Sequence, residues 1–358
     1  MIRTRFVLPF TIRASVFLVG LSALLGILYI AQSIIVPLLF ALLIAILLHP
    51  VVGLLVRWKL RRLLAISLTL IFSVLLIGFF SIIIFNQAIN LSHSWPVFVS
   101  EITDMLNQTI SYSSQYLKVE PAIIHDWINK TQKELISIDG SMVGKTIMNV
   151  SNVVAVLVLI PVYVFVILYY QPLLISFIHR LFSKSNQKNI GDIITQTKTV
   201  IQHYLVGLLI EFAIMGTLNT IGLILLGIEY AFLLGFLGAL LNVIPYLGGI
   251  SATLIFVTVA LVSKSDLWYV LYMLIFQVVL QLIDNDFIVP RIVASKVKIN
   301  ALFSVMVVLV GNTLWGLSGM FLSIPLLAIV KVIFDHIESM KPWGYLLGDD
   351  MEIKPEKH

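Results

Sequence analysis

The chain is 358 residues long, 59% hydrophobic and only 11% charged, with a formal net charge of +5. Soluble domains carry about 25% charged residues, so an ordinary soluble fold is excluded, and continuous apolar runs in place of alternating ~10-residue segments exclude an outer-membrane barrel. No cysteine is present, which removes disulfides, thiol catalysis and thiolate metal sites, and the basic residues cluster beside apolar runs, an orientation signal and not a nucleic-acid surface.

An α-helix needs about 20 apolar residues to cross ~30 Å of hydrocarbon. Residues 14–56 are too long for one crossing and break at Gln32-Ser33. This predicts helices over 16–31 and 34–55 joined by a hairpin turn, with Pro37 in the first turn of the second. The N-terminal Arg3, Arg5 and Arg13 look like the charged start of a signal peptide, yet no small-residue cleavage site follows. Arg57, Lys59, Arg61 and Arg62 form a short basic loop, which the positive-inside rule assigns to the cytoplasm together with the N-terminus. A third span over 64–85 completes a first region, 1–85.

Composition shifts at Asn86. Phe98, Val99, Ile102, Met105, Leu106 and Ile110, then Ile123, Ile124, Trp127, Ile128 and Leu135, recur at helical spacing. They predict a small extracytoplasmic domain of amphipathic helices over 86–150, with breaks near Glu120-Pro121 and Asp139-Gly140. Its six acids and four lysines lack the basic excess of a cytoplasmic loop. A fourth span over 151–170 returns to the cytoplasm. Arg180, Lys184, Lys188 and Lys198 then accompany an amphipathic helix carrying Ile190, Ile193, Ile194 and Ile201, expected to lie along the inner surface. That region closes at residue 203.

Residues 204–340 read as a transport core. A fifth span over 204–226 is followed by an apolar stretch, 232–262, interrupted at Pro245-Tyr246-Leu247-Gly248-Gly249. Each arm of ~14–16 residues is short of full bilayer thickness, which predicts a re-entrant hairpin entering from outside. A span over 267–283 leads to the charged segment containing Asp284, Asp286, Arg291, Lys296 and Lys298. Residues 301–330 carry no charge and break at Gly316-Leu317-Ser318-Gly319, predicting a second hairpin that enters from the cytoplasmic side and opposes the first. Asn242-x4-Leu247-x-Gly249 and Asn312-x4-Leu317-x-Gly319 are weakly alike. Paired, broken apolar segments point to a transporter's binding site, because unwound backbone is tolerated only against protein or water. A cytoplasmic tail, 341–358, ends the chain.

Gln277, Gln281, Asp284 and Asn285 share one helical face, and polar groups at membrane depth face a cavity or another helix. For Asp284 and Asn285 a helix end reaching cytosolic water is an equal reading. Glu211 sits about two turns inside the fifth span, as an ion or proton site or as a partner of Lys331 or a histidine. Asn242 and Asn312 flank the breaks and could bind a solute or the carbonyls freed there. Lys331 is an end-anchor, or a gating partner of Asp284 or Glu211. Trp58, Trp268, Trp315 and Trp343 read as interfacial belts. Gly316-Leu317-Ser318-Gly319 spells the string of rhomboid-type proteases, but no histidine lies in a later span and His336 is too far out. No Walker A loop, His-Glu-x-x-His or dinucleotide fingerprint occurs, so neither an enzyme nor a cofactor or metal is expected.

Leu241-Asn242-Val243-Ile244-Pro245-Tyr246-Leu247-Gly248-Gly249, Asp284-Asn285-x4-Pro290-Arg291, Gly316-x2-Gly319 with Pro325, and Lys341-Pro342-Trp343-Gly344 resemble the autoinducer-2 exporter family of permeases. The resemblance implies an inner-membrane homo-oligomer, a pentamer among the options, that exports a small hydrophilic solute. Some members are assigned to sodium or proton antiport, which stays open as an alternative, as does a membrane scaffold acting through 86–150. Gly249 departs from the family, which more often has proline there, and a looser turn is expected. The candidate substrate pathway is Asn242, Pro245, Gly248, Gly249, Gln277, Gln281, Asp284, Asn285, Pro290, Asn312, Gly316, Gly319 and Pro325, with Glu211, Asp284 and Lys331 as coupling candidates.

Overall fold

The structure is a computed structural model that describes residues 9–117, 158–181, 187–244, 247–264, 266–293 and 299–349. The described helices are α1 (Phe10–Ile30), α2 (Gln32–Arg57), α3 (Arg62–Leu117), α4 (Val158–Leu181), α5 (Gln187–Leu225), α6 (Ala231–Asn242), α7 (Leu247–Lys264), α8 (Leu267–Ile283), α9 (Ala301–His336) and α10 (Lys341–Leu347). A π-helix, Asp284–Val293, continues α8. The described residues contain no strand, only an isolated bridge between Ile299 and Gly348. Six helices are long and apolar enough to cross a membrane, while the apolar helices Ala14–Ile30, Ala231–Asn242 and Gly248–Lys264 are shorter. Leu75, Ile77, Phe79 and Phe85 on α3 stay largely exposed. Water would oppose such a surface and hydrocarbon does not. The chain is an all-α polytopic membrane protein.

Several boundaries differ from expectation, among them the end of the fourth span, expected at 170, where α4 continues to Leu181. Gln32 and Ser33 are already helical, and the interruption is the single residue Ala31. Its N–H still reaches the Ile27 carbonyl and its own carbonyl takes the Ile35 N–H. An antiparallel pair of helices needs a loop of about 2–5 residues, so the expected hairpin turn is absent. Helix α3 does not stop at residue 85 but runs unbroken through Asn86 to Leu117, 56 residues in all. The expected breaks near Glu120 and Asp139 lie outside the described residues. The predicted surface helix and fifth span are one helix, α5. The segment after α8 stays helical because its wider π-turns accommodate Pro290, whose ring would clash with the preceding turn of an α-helix.

The chain forms two compact units. The first comprises residues 1–47, 159–201 and 298–358. Its centre is α9, which is two arms and not a rod, because Trp315 (φ −138°) and Gly316 (φ +59°, ψ −140°) leave helical torsions. Positive φ at Gly316 is open to glycine at little cost. The arms then fold together: Ser323 Oγ donates to the Val307 carbonyl at 2.8 Å, and Gly311 and Gly319 meet backbone to backbone where no Cβ fits. Trp315 Nε1 donates to the Leu28 carbonyl at 3.0 Å, joining the hairpin tip to the end of α1, and Phe40 stacks on Phe321. Helix α10 docks back on α9, with the Asn300 N–H on the Leu347 carbonyl at 2.9 Å and Gly344 against Asp335.

The second unit comprises residues 48–158 and 202–297. Here α6 and α7 form the first hairpin. Gly238 faces the Phe256 ring, and Gly248 lies against the backbone of Leu241 and Asn242. Leu223, Leu234, Phe256, Ala260 and Met273 make its apolar core. The first-turn N–H groups of α6 have no intrahelical partner and Tyr230 supplies no cap. Gln87 of α3 supplies one instead, accepting from Leu233 N at 2.9 Å.

Candidate functional site

Among the buried residues, Tyr204, Leu208, Glu211, Met215, Asn219 and Leu223 line up on α5, and Met273, Gln277, Leu280, Asp284 and Ile288 on α8 and its continuation. Both series advance by steps of four and three, which keeps them on one helical face. The stripes meet antiparallel. Leu223 and Met273 share one apolar cluster, Gln277 Nε2 donates to Asn219 Oδ1 at 3.1 Å, and Met215 and Leu280 share the next cluster. Beyond them lie Glu211 and Asp284. Farther along, Gly207 approaches the backbone of Ile292 so closely that a Cβ would stand 2.7 Å from its carbonyl oxygen.

The result is two polar rungs set among apolar layers. Glu211 is eight positions from Asn219, or about 12 Å along the helix, and Met215 and Leu280 fill the interval. The outer rung is completed from the first hairpin. Asn242, the last residue of α6, donates through Nδ2 to Asp284 Oδ2 at 2.7 Å and to Glu211 Oε1 at 3.3 Å. Glu211 and Asp284 are 5% and 1% exposed. Burying a carboxylate is costly without donors, so the amide is the group that lets both acids occupy this place. It answers only part of the need, since Asp284 Oδ1 is buried with no hydrogen-bond partner. Neither acid pairs with a lysine, arginine or histidine among the described residues, and no group of three metal-ligating side chains occurs among them.

The structure separates the candidates. Asn242 hydrogen-bonds neither of the freed carbonyls, for Ile244 N–H takes the Leu241 carbonyl and Gly248 N–H takes that of Ile244. Asp284 is not a helix end in water but a buried junction, whereas Asn285 and Pro290 are exposed. Gln277 is buried. Gln281 is half-buried, with a long contact of 3.5 Å to Asn285, and its amide occupies the space a Cβ on Gly249 would take. Gly249 lies in the first turn of α7 and leaves room for that amide. Pro245 falls outside the described residues. In the other unit, Asn312 and Gly316 are exposed, while Gly319 and Pro325 are buried within the second arm of α9. Lys331 pairs with Asp335 at 2.7 Å, not with Asp284 or Glu211: the i to i+4 spacing puts Asp335 within reach on the same helix. Asn219 was missed by sequence reasoning, although its place on the Glu211 stripe was a usable signal.

A family model described as AI-2E family transporter matches residues 18–339. The chain belongs to this family. As an AI-2E transporter it is similar over most of its length to three curated proteins. "Putative transport protein YrrI" of Bacillus subtilis is 26% identical over 87% of this chain and 89% of the relative. "Putative permease PerM" of Escherichia coli K12 is 26% identical over 88% and 91%. "AI-2 transport protein TqsA" of the same strain is 25% identical over 89% and 90%. The matched range includes both helical hairpins and both polar rungs, so the site sits within the part that this AI-2E transporter shares with its relatives.

Proposed function

We propose that this AI-2E transporter is a secondary permease that exports a small hydrophilic solute of the autoinducer-2 type across the bacterial inner membrane, without a covalent step. One observation carries the reading: buried Asn219 and Gln277 pair with each other, and buried Glu211 and Asp284 share the half-buried Asn242 amide, two hydrogen-bonded polar groups inside an apolar bundle. Polar groups at such depth are costly and mark solute or ion routes. One of them stands at the tip of a broken helical hairpin, where transporters place binding sites. The name of TqsA supports the solute class. In this reading the two hairpins are re-entrant, Gln277, Gln281 and Asn242 bind the solute through hydrogen bonds, and the chain works as a homo-oligomer.

The basic loop of Arg57, Lys59, Arg61 and Arg62 lies in the cytoplasm with the C-terminus, and residues 86–150 lie outside. Charge alone argues for a cytoplasmic N-terminus, since the one-residue break at Ala31 removes the argument from parity. The test is flux in proteoliposomes with a panel of solutes, with and without a proton or sodium gradient. Export of a hydrophilic solute that Gln281→Leu abolishes in a folded protein is the expected result. Unchanged flux in Gln281→Leu and Gln277→Leu would overturn the assigned path.

A further inference from the structure

The N-terminus of α6 is enclosed by protein, because Ala231, Leu233 and Leu234 are buried. Tyr230, in the left-handed region at φ +57°, offers no side-chain cap. Leu234 N–H reaches the Tyr230 carbonyl at 3.0 Å, whereas Leu233 N–H turns to Gln87 Oε1 of α3 at 2.9 Å. A buried donor without a partner is costly, and the positive end of a helix favours an acceptor. Gln87 stands about 38 Å along α3 from Arg62, beyond the ~30 Å of hydrocarbon. From there α6, 12 residues long, reaches back about 18 Å. Its far end is Asn242, whose amide bridges Asp284 and Glu211. Gly238 against the Phe256 ring, and Gly248 against the backbone of Leu241 and Asn242, leave α6 no slack against α7. Helix α6 is therefore a strut pinned at both ends by side-chain amides.

We propose that Gln87 is a positioning residue: by holding the N-terminus of α6 it sets the height at which Asn242, at the other end of the helix, meets Glu211 and Asp284. The geometry leaves little tolerance. The bond from Asn242 to Glu211 is already 3.3 Å long, so a shift of α6 by about 1 Å takes it out of hydrogen-bond range. A helix freed at its N-terminus can make that shift, and the tightly packed α7 moves with it. The chemistry required at position 87 is an acceptor of the right length. Glutamate provides one, and leucine, of similar bulk, does not. The consequence for transport rests on the reading above; the position of the helix does not.

The experiment reads the seating of α6 directly. Leu280 of α8 is buried against Ala239 of α6, and the chain has no cysteine of its own, so Leu280→Cys places a single thiol beneath the strut. Its alkylation by N-ethylmaleimide, measured on the full chain in phosphatidylethanolamine–phosphatidylglycerol liposomes, tracks the population in which α6 has moved away. One hydrogen bond shifts such a population about 5-fold, so Gln87→Leu is expected to raise the rate about 5-fold. Gln87→Glu keeps an acceptor at the helix N-terminus and is expected to stay within ~2-fold of the parent. Asn300→Ala removes a cap of the same kind from α9 and is expected to leave the rate unchanged, which separates positioning from general loosening. If Gln87→Leu is not monodisperse in detergent, Gln87→Asn, one methylene shorter, replaces it with the same expected rise. A rate unaffected by loss of the acceptor, or raised equally by Gln87→Glu or by Asn300→Ala, would overturn the assignment. The labelling needs no solute, so that result leaves the transport reading standing, whereas proteoliposomes that move nothing would remove transport and leave the strut.

Discussion

Replacing Asn242 by alanine is the sharpest perturbation of the outer rung, because one amide serves both buried acids. Leaving a buried hydrogen-bonding group without its partner costs about 1–3 kcal/mol. The 2.7 Å bond to Asp284 is short, whereas the 3.3 Å bond to Glu211 lies beyond the usual N–H···O range and counts for less. Together they predict a loss of roughly 2–4 kcal/mol in Asn242→Ala. Reversible unfolding in mixed micelles, titrated with sodium dodecyl sulfate, measures it. A double-mutant cycle with Asp284→Ala then separates the pair from its surroundings and is expected to return a coupling of at least ~1 kcal/mol. A cost below ~0.5 kcal/mol, the size of an ordinary surface change, with no coupling to position 284, would refute the bridge.

The inner rung makes a different prediction. Asn219→Leu or Gln277→Leu alone leaves an orphaned buried amide and costs about 1–3 kcal/mol, while the double change is nearly neutral for stability because both partners go together; the same unfolding titration decides. Gly319→Val forces a side chain into the backbone of Gly311, with an expected cost of at least ~1–3 kcal/mol from overpacking, read as a lower melting temperature in detergent. Trp315→Phe removes the bond to the Leu28 carbonyl and should cost about 1 kcal/mol, with transport retained.

Much of this architecture is legible in the sequence, for physical reasons. Uncharged runs longer than a bilayer is thick permit only helices, and the breaks at 245–249 and 316–319 stand out because proline and glycine interrupt otherwise continuous apolar text. Of the expected face of Gln277, Gln281, Asp284 and Asn285, the structure buries Gln277 and Asp284, half-buries Gln281 and leaves Asn285 exposed. What escaped is tertiary or backbone-level. Asn242 reaches Glu211 and Asp284 across 31 and 42 residues of chain, a pairing no local pattern encodes. Helix α3 runs past Asn86 because a shift in composition does not by itself break a hydrogen-bond ladder. The continuation of α8 past Pro290 was not expected, because it depends on a wider π-turn that no residue pattern announces. Lys331 had a nearer acid than either candidate, in Asp335 one turn on.

The central claim is that solute passes along the polar stripe between α5, α8 and the first hairpin. The natural absence of cysteine allows a direct test. Single cysteines at Asn242, Gln277 and Gln281, and at the outward-facing Ile275 and Val278 of the same helix, are treated with a small hydrophilic thiol reagent in proteoliposomes during flux. The account predicts that modification at 242, 277 and 281 blocks transport and is slowed by solute, while modification at 275 and 278 has no effect. Block from the outward-facing positions, or none from the stripe, would contradict it.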